Sequence, residues 1–297
     1  MAYQTVALNQ RTLAMWRIRT VVSVILPVRN RAAVVERAVR SVWAQTWQDW
    51  ELVAVDDGSD DATRTVLEDL AAQEPRMRVL VTPPRGVSHA RNRGVEASAG
   101  AWIAFLDSDD LWLPRKLEAQ MRFVADSGFS ACQTEEIWIR HGRRVNPCRK
   151  HAKPAGWFLE RAVALCLISP SCVLFSRALW EQVGPFDEDL PACEDYALWL
   201  RLLLVAPVGL VPQALVVKTG GHADQLSRLF VGQDRFRLEG LRRALARAQR
   251  AEDRRILAAE MVRRGRIYQA GCLKHGLVDE AVLVGQWMDA ARAGKEA

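Results

Sequence analysis

Apolar positions in the first two hundred residues alternate between two rhythms. Val21 to Val28 (VVSVILPV) is an unbroken apolar run of strand length, the pattern of a strand covered on both faces. Val35, Ala38, Val39 and Val42 then recur at i, i+3, i+4 and i+7, which predicts an amphipathic helix. The alternation repeats. Leu52 to Val55 reads as a second strand ending at Asp56-Asp57-Gly58-Ser59, and a helix opened by Ser59 to Asp61 follows, apolar at Val66, Leu67, Leu70 and Ala71. Val79 to Val81 is a third strand, Ala90, Gly94 and Ala97 mark a small-faced helix, and Trp102 to Leu106 is a fourth strand. Strand–helix–strand units of this size require crossovers, so the pattern predicts parallel strands with helices on both faces.

After Pro114 the pattern changes. Leu113, Leu117, Met121 and Val124 predict a helix ending at Gly128, and residues 130 to 146 a hairpin turning at His141-Gly142. A helix is expected over Gly156 to Leu167, a strand over Cys172 to Ser176 and a turn at Gly184-Pro185-Phe186-Asp187. A further helix begins near Glu194-Asp195, apolar at Leu198, Trp199, Leu202 and Leu203, and Val208 to Thr219 reads as a strand pair broken at Pro212. From Gln225 the chain is Ala/Arg/Leu-rich and helical, with Gly271, Gly276 and Gly285 as expected breaks. The domain expectation is therefore an N-terminal extension (1–20), an α/β domain (21–224) and a small α-helical C-terminal appendage (225–297). No signal-peptide core precedes Val21, and Met15 is an alternative start.

Composition narrows the class. At 297 residues, 49% hydrophobic and 26% charged, the chain is neither disordered nor a membrane bundle, and Leu202 to Val217 is too short and too interrupted to span a bilayer. Six cysteines without a C-x-x-C pair favour reduced thiols over a disulfide framework, as in a cytosolic protein. The net charge of +6 is uneven: residues 225–297 hold fifteen Lys or Arg against nine Asp or Glu, so the whole excess lies there. Such a region attracts anionic lipid, or is simply a solvated helical face. Nucleic acid is disfavoured, because after Phe236 only Tyr268 and Trp287 interleave with the basic residues.

The candidate chemistry sits where the strands end. Ligands of open α/β sheets bind beyond the carboxyl ends of the strands. Asp56 and Asp57 follow the second strand there, and Asp107, Asp109 and Asp110 follow the fourth. Acids two apart at a strand end can aim at one point, and two or three hard oxygen ligands suit Mg²⁺ or Mn²⁺ shared with a phosphate. Asp56 is read as serving its own turn and Arg201 as an ion-pair partner. Glu194 is either a capping acid or part of the site, and Trp112 and Trp138 are candidate platforms for a sugar ring.

The blocks SVILPVRNR, VAVDDGSDDAT, GVSHARNRGVEASAGAWIAFLDSDDLW and VGPFDEDLPACEDYALWLR, in this order, resemble the family 2 glycosyltransferases from about Val21 to Arg228. The resemblance implies a GT-A fold, Rossmann-like with a mostly parallel sheet, and inverting transfer from a nucleotide-diphospho-sugar, UDP-type favoured. It implies that Pro27 and Arg29 line the base and diphosphate, that Asp57 accepts from the base, and that Arg91 braces that pocket. Asp107 would lie near the ribose and Asp109 would bind the metal, Mn²⁺ or Mg²⁺, with Asp110 as a second ligand and His222, in KTGGHADQLSR, reaching the diphosphate or the metal. Asp195 matches the general base; a helix N-terminus favours an anion, which suits that role. The acceptor would be a sugar or lipid-linked hydroxyl of bacterial polysaccharide or glycolipid assembly. The implied location is the cytoplasm, with peripheral contact at the inner face of the membrane through the basic C-terminal helices.

One position departs from the family pattern. Ala197 stands where many members carry a second acid two residues after the base, which leaves a looser site or a shifted acceptor choice as the expectation. Two other readings compete: a non-catalytic sugar- or nucleotide-binding scaffold of the same fold, and a sugar-phosphate nucleotidyltransferase. The latter would show a glycine-rich loop where this chain reads Pro27-Val28-Arg29-Asn30.

Overall fold

The structure, a computed structural model, describes residues 21–146, 148–221 and 232–294. The expected N-terminal extension, the 224/225 boundary and His222 lie outside these residues. One nine-stranded sheet runs through the molecule in the order β3-β2-β1-β4-β8-β6-β9-β5, with β7 paired to β6. Its first half consists of β1 (Val22–Val28), β2 (Trp50–Asp56), β3 (Met77–Val81) and β4 (Trp102–Phe105), all parallel. The second half is mixed. β8 (Val173–Ser176) is antiparallel to β4 and to β6 (Ala131–Arg140); β9 (Gly209–Gly220) runs parallel to β6, and β5 (Leu111–Trp112) antiparallel to β9. β7 (Arg143–Val145) closes the expected hairpin, where His141 and Gly142 both take positive φ.

Alternate side chains of β1 and β2 enter two cores, as period-two pleating requires. On one face Val24, Leu26, Leu52 and Ala54 meet α1 (Val35–Trp43), α2 (Thr63–Ala71) and α4 (Lys116–Ser127), through Val39, Leu67 and Leu117. On the other, Ile25, Val53 and Val55 meet α3 (Val87–Ala97). Gly94 makes that approach feasible, since a Cβ there would stand 2.4 Å from Ile25 Cγ2.

The second face also carries α6 (Arg177–Val183), α7 (Glu194–Val205), α8 (Asp234–Arg247), α9 (Ala251–Lys274) and α10 (Val278–Arg292). Leu238, Leu241, Met261 and Val284 of the last three helices are buried in the same cluster as Trp199 and Leu202 of α7. The C-terminal helices thus complete one wall of the sheet's own core. None of the described helices is long and apolar enough to cross a membrane.

Three local expectations are corrected. The helix over 156–167 is the single turn α5 (Leu159–Ala162), because Gly156 exchanges backbone hydrogen bonds with Val208 and holds the chain extended. The region Val208–Thr219 is one strand, not two: its register against β6 jumps from Thr134↔Val211 to Glu135↔Ala214, so Pro212 is absorbed in a bulge where its missing N–H costs nothing. Gly271 and Gly285 lie inside α9 and α10, and of the three expected breaks only Gly276, at φ +75, ends a helix.

A polar cluster is buried beside β6. Glu136 pairs with Lys153 at 3.2 Å and accepts from Trp138 Nε1 at 2.6 Å and Cys172 Sγ at 3.0 Å. Burial alone would raise the Glu136 carboxyl, but the ammonium groups of Lys153 and Lys218 hold it down to about 2. Trp112 is buried with its Nε1 donating to Ser171 O, and Trp138 packs at a tilt against His151; neither lines the cavity described below as a sugar platform.

Candidate active site

The carboxyl ends of β1, β2 and β4 and the N-terminus of α7 open onto one cavity of about 690 Å³. Pro27, Arg29, Asp57, Arg91, Asp107, Asp109, Asp110 and Asp195 all line it. The fold therefore gathers the described donor, metal and base candidates, while the two candidate platforms, Trp112 and Trp138, stay outside.

Local hydrogen bonds explain how the walls are held. After β1, Asn30 takes φ +52, donates its backbone N–H to Ser59 Oγ and accepts Asp60 N–H on its side chain, so the loops after β1 and β2 are cross-tied. Asp56 accepts from Ser59 within its own turn, as expected. Asp57 accepts the N–H groups of Arg85 (2.9 Å) and Gly86 (2.8 Å), fixing the entry to α3. Each of those carboxylate oxygens has a second lone pair, so the anchored acid can still meet a donor from a base.

Asp110 is buried, and both of its oxygens are engaged: Ser171 Oγ donates to Oδ2 at 2.6 Å and Thr219 N–H to Oδ1 at 3.0 Å. Burial pushes its carboxyl up to about 8 against the pull of Lys218, with Asp107 and Asp109 adding repulsion. Its visible work is to tie the acid loop to β9. Among the described residues no three His, Cys, Asp or Glu side chains converge as a metal cage. That donor set still fits a hard cation of the Mg²⁺ type, which is commonly held by one or two carboxylates with substrate phosphates completing the shell.

Arg91 is the structural centre of the site. It is 4% exposed, donates Nη1 to Glu194 Oε1 at 2.7 Å and Nη2 to Asp107 Oδ1 at 2.8 Å, and lies over the Phe186 ring. It joins the end of β4 to the start of α7, so Glu194 belongs to the site as more than a capping acid. Burial and the Asp195 charge push the Glu194 carboxyl up to about 7 while Arg91 pulls it down. Asp195, on the first turn of α7, accepts its neighbour Tyr196 N–H at 2.7 Å on Oδ1, and Cys166 Sγ donates to Oδ2 at 3.5 Å. Arg201 pairs with Asp187, as expected of a structural partner.

Sequence reasoning missed Cys166, Lys218, Gln233 and Arg237, which also line the cavity. Arg237 is one of many arginines in a helical tract, and no spacing distinguishes it. Ala197 is explained by the same helix. A Cβ on Gly240 of α8 would lie 3.1 Å from Ala197 Cβ, so α8 occupies the room a longer side chain would need. The position is filled by packing, not left loose.

This sheet order, with acids at the ends of β2 and β4 and a helix N-terminus completing the cavity, is that of a GT-A glycosyltransferase. The chain belongs to glycosyl transferase family 2, whose family model matches residues 23–181. It is 32% identical over 183 residues to UDP-Glc:alpha-D-GlcNAc-diphosphoundecaprenol beta-1,3-glucosyltransferase WfgD of Escherichia coli, covering 61% of this chain and 69% of that protein. A putative teichuronic acid biosynthesis glycosyltransferase, TuaG of Bacillus subtilis, is 33% identical over 188 residues, covering 62% and 73%. Other relatives are much longer: the chain spans 32% of an uncharacterized glycosyltransferase of Rickettsia felis, at 30% identity over 66% of this chain. Among solved structures, S. aureus TarS 1-349 in complex with UDP-GlcNAc superposes with a TM-score of 0.75 at 20% identity, covering 92% of this chain and 87% of that one.

Proposed function

We propose that the protein is an inverting glycosyltransferase that moves a sugar from a UDP-type nucleotide-diphospho-sugar to an acceptor hydroxyl. The observation that carries the reading is the convergence of Asp57, Asp107, Asp109 and Asp195, from two strand ends and one helix N-terminus, on a single cavity. Pro27, Arg29 and Asp57 receive the base and diphosphate, and Asp107, held by Arg91, receives the ribose. Asp109 is the residue that would hold Mn²⁺ or Mg²⁺. One or two carboxylates suit such a cation when substrate phosphate oxygens would supply the remaining ligands. A cation bound there supplies positive charge to the departing diphosphate without reorganisation. Asp195 takes the acceptor proton as the hydroxyl attacks the anomeric carbon from the face opposite the leaving group. A single displacement inverts that centre and needs no carboxylate nucleophile.

The WfgD and TuaG relatives, by their names, support an acceptor of bacterial envelope polysaccharide assembly, including a lipid-linked one. The reading places the protein on the cytoplasmic side, in peripheral contact with the membrane that holds such an acceptor. The test is a screen of nucleotide-sugars for nucleotide-diphosphate release, with and without Mn²⁺, against lipid-diphosphate acceptors. Release from a UDP-sugar that requires both acceptor and metal is expected. Donor binding without release for every acceptor would favour the scaffold reading instead.

A further inference from the structure

The basic C-terminal tract suggests attachment by charge alone, but its six arginines from Arg242 to Arg255 are already engaged. Arg242 pairs with Glu239, Arg243 with Asp189, Arg250 with Asp253 and Arg255 with Glu252, while Arg247 and Arg254 donate to backbone carbonyls. The unusual surface lies elsewhere, at the tip where α9 turns into α10. Leu273 is 59% exposed there, Leu277 53% and Val278 58%, and Ile267 and Val282 extend the apolar surface along the two helices. These side chains are not on a loose loop. Leu277 N–H bonds to Cys272 O at 2.9 Å and His275 N–H to Gly271 O at 3.1 Å, so the turn holds them outward.

Two observations say what covers this tip. First, its rim carries two exposed cations, Arg266 and Lys274, neither with a carboxylate partner among the described residues, against one exposed acid, Asp279. Second, it adjoins the cavity mouth. Gln233 and Arg237 of the α8 start line the cavity, and Arg235 between them pairs with Glu280 of α10 at 3.1 Å, which also accepts from Tyr268 of α9 at 3.1 Å. An apolar cap with a positive rim suits an anionic bilayer surface, where apolar side chains enter the headgroup boundary and cations meet lipid charge.

We propose that the α9–α10 tip docks on anionic lipid and brings the cavity mouth to the membrane surface. The proposal deepens the lipid-linked acceptor reading given above, yet vesicle binding is measured without any substrate, so the two fail separately. The full chain is sedimented with phosphatidylcholine vesicles, with or without phosphatidylglycerol. Binding to the anionic vesicles is expected, and Leu273→Ser/Leu277→Ser should lower the partition coefficient roughly tenfold or more. Arg250→Gln/Arg255→Gln, in the basic tract, should leave it within about twofold, because those side chains stand at the opposite end of α9 from the tip. Val278→Ser/Val282→Ser serves as a second tip variant, and the thermal midpoint shows that each variant is folded. The proposal is overturned if the wild type binds neither vesicle, or if the tip variants bind as well as the wild type. A dimer that the tip substitutions dissociate, seen by sedimentation equilibrium, would also overturn it and assign the surface to a second copy.

Discussion

Replacing Arg91 by Met removes a buried side chain that joins the end of β4 to the start of α7. The guanidinium makes charge-assisted bonds of 2.7 Å to Glu194 and 2.8 Å to Asp107. Glu194 is nearly fully buried, so leaving it without a partner falls under the usual cost of breaking a buried pair, about 3–5 kcal/mol. The Asp107 side chain is 26% exposed, and water screens much of its share. A loss of about 4 kcal/mol at pH 8 follows, and the melting midpoint should drop by about 10 °C. The pH dependence gives the sharper test. Glu194 sits at about 7 in the folded protein against its ordinary 4.5. Its ionisation therefore opposes folding, and this contribution to stability falls as pH rises from 4.5 through 7. Without Arg91 its carboxyl rises further, so the penalty in the variant grows over a wider range. The gap between wild type and Arg91→Met should narrow as pH is lowered from 8 to 5, read by thermal melts followed by circular dichroism. A gap that stays constant across that range would falsify the claim that Arg91 acts chiefly through ionised Glu194.

Other perturbations separate the remaining roles. Asp195→Asn retains size and hydrogen bonding but takes no proton, so turnover should fall by roughly two to four orders of magnitude with donor affinity little changed; a fall under about tenfold points to another base. Asp109→Ala should abolish the Mn²⁺-dependent part of UDP affinity in calorimetry, and unchanged affinity with Mn²⁺ in the folded variant would contradict the assignment. Glu136→Gln breaks the buried pair with Lys153 and should cost about 3 kcal/mol at neutral pH by urea unfolding. Because Glu136 is held at about 2 against 4.5, its contribution is present above pH 4.5 and is lost as pH falls toward 2, so wild type and variant should converge in acid. Gly240→Leu forces a side chain toward Ala197 and should lower stability and turnover together, since α8 also brings Arg237 to the cavity. Full turnover in a folded Gly240→Leu protein would show that the α8 contact does not shape the site.

The sequence by itself determined the parallel half of the sheet. Unbroken apolar runs at β1 and β2, with helices of period 3.6 between strands, have few other ways to bury themselves. It also determined that the acids would stand at the strand ends, because turn residues directly follow each apolar run and the crossover rule orients the strands. Asp57, Asp107 and Asp109 were legible on that ground together with the family resemblance, and Asp195, at the start of a helix, through the resemblance. Tertiary structure alone decided the rest. Gly156–Val208 pairing overrode the helical pattern at 156–167, and pairing with β6 carried β9 through Pro212, because long-range backbone bonds outweigh local preference. The roles of Arg91 and Glu194 depend on a contact across 103 residues, which no local spacing encodes. Asp110 and Asp109 are neighbours in sequence, yet Ser171 and Thr219 draw the first into the fold. Arg237 resembles its neighbouring arginines until α8 packs on α7, and the tip leucines resemble core residues until the turn at Gly276 leaves them facing water. Periodicity records which face of an element is apolar; only packing decides what that face meets.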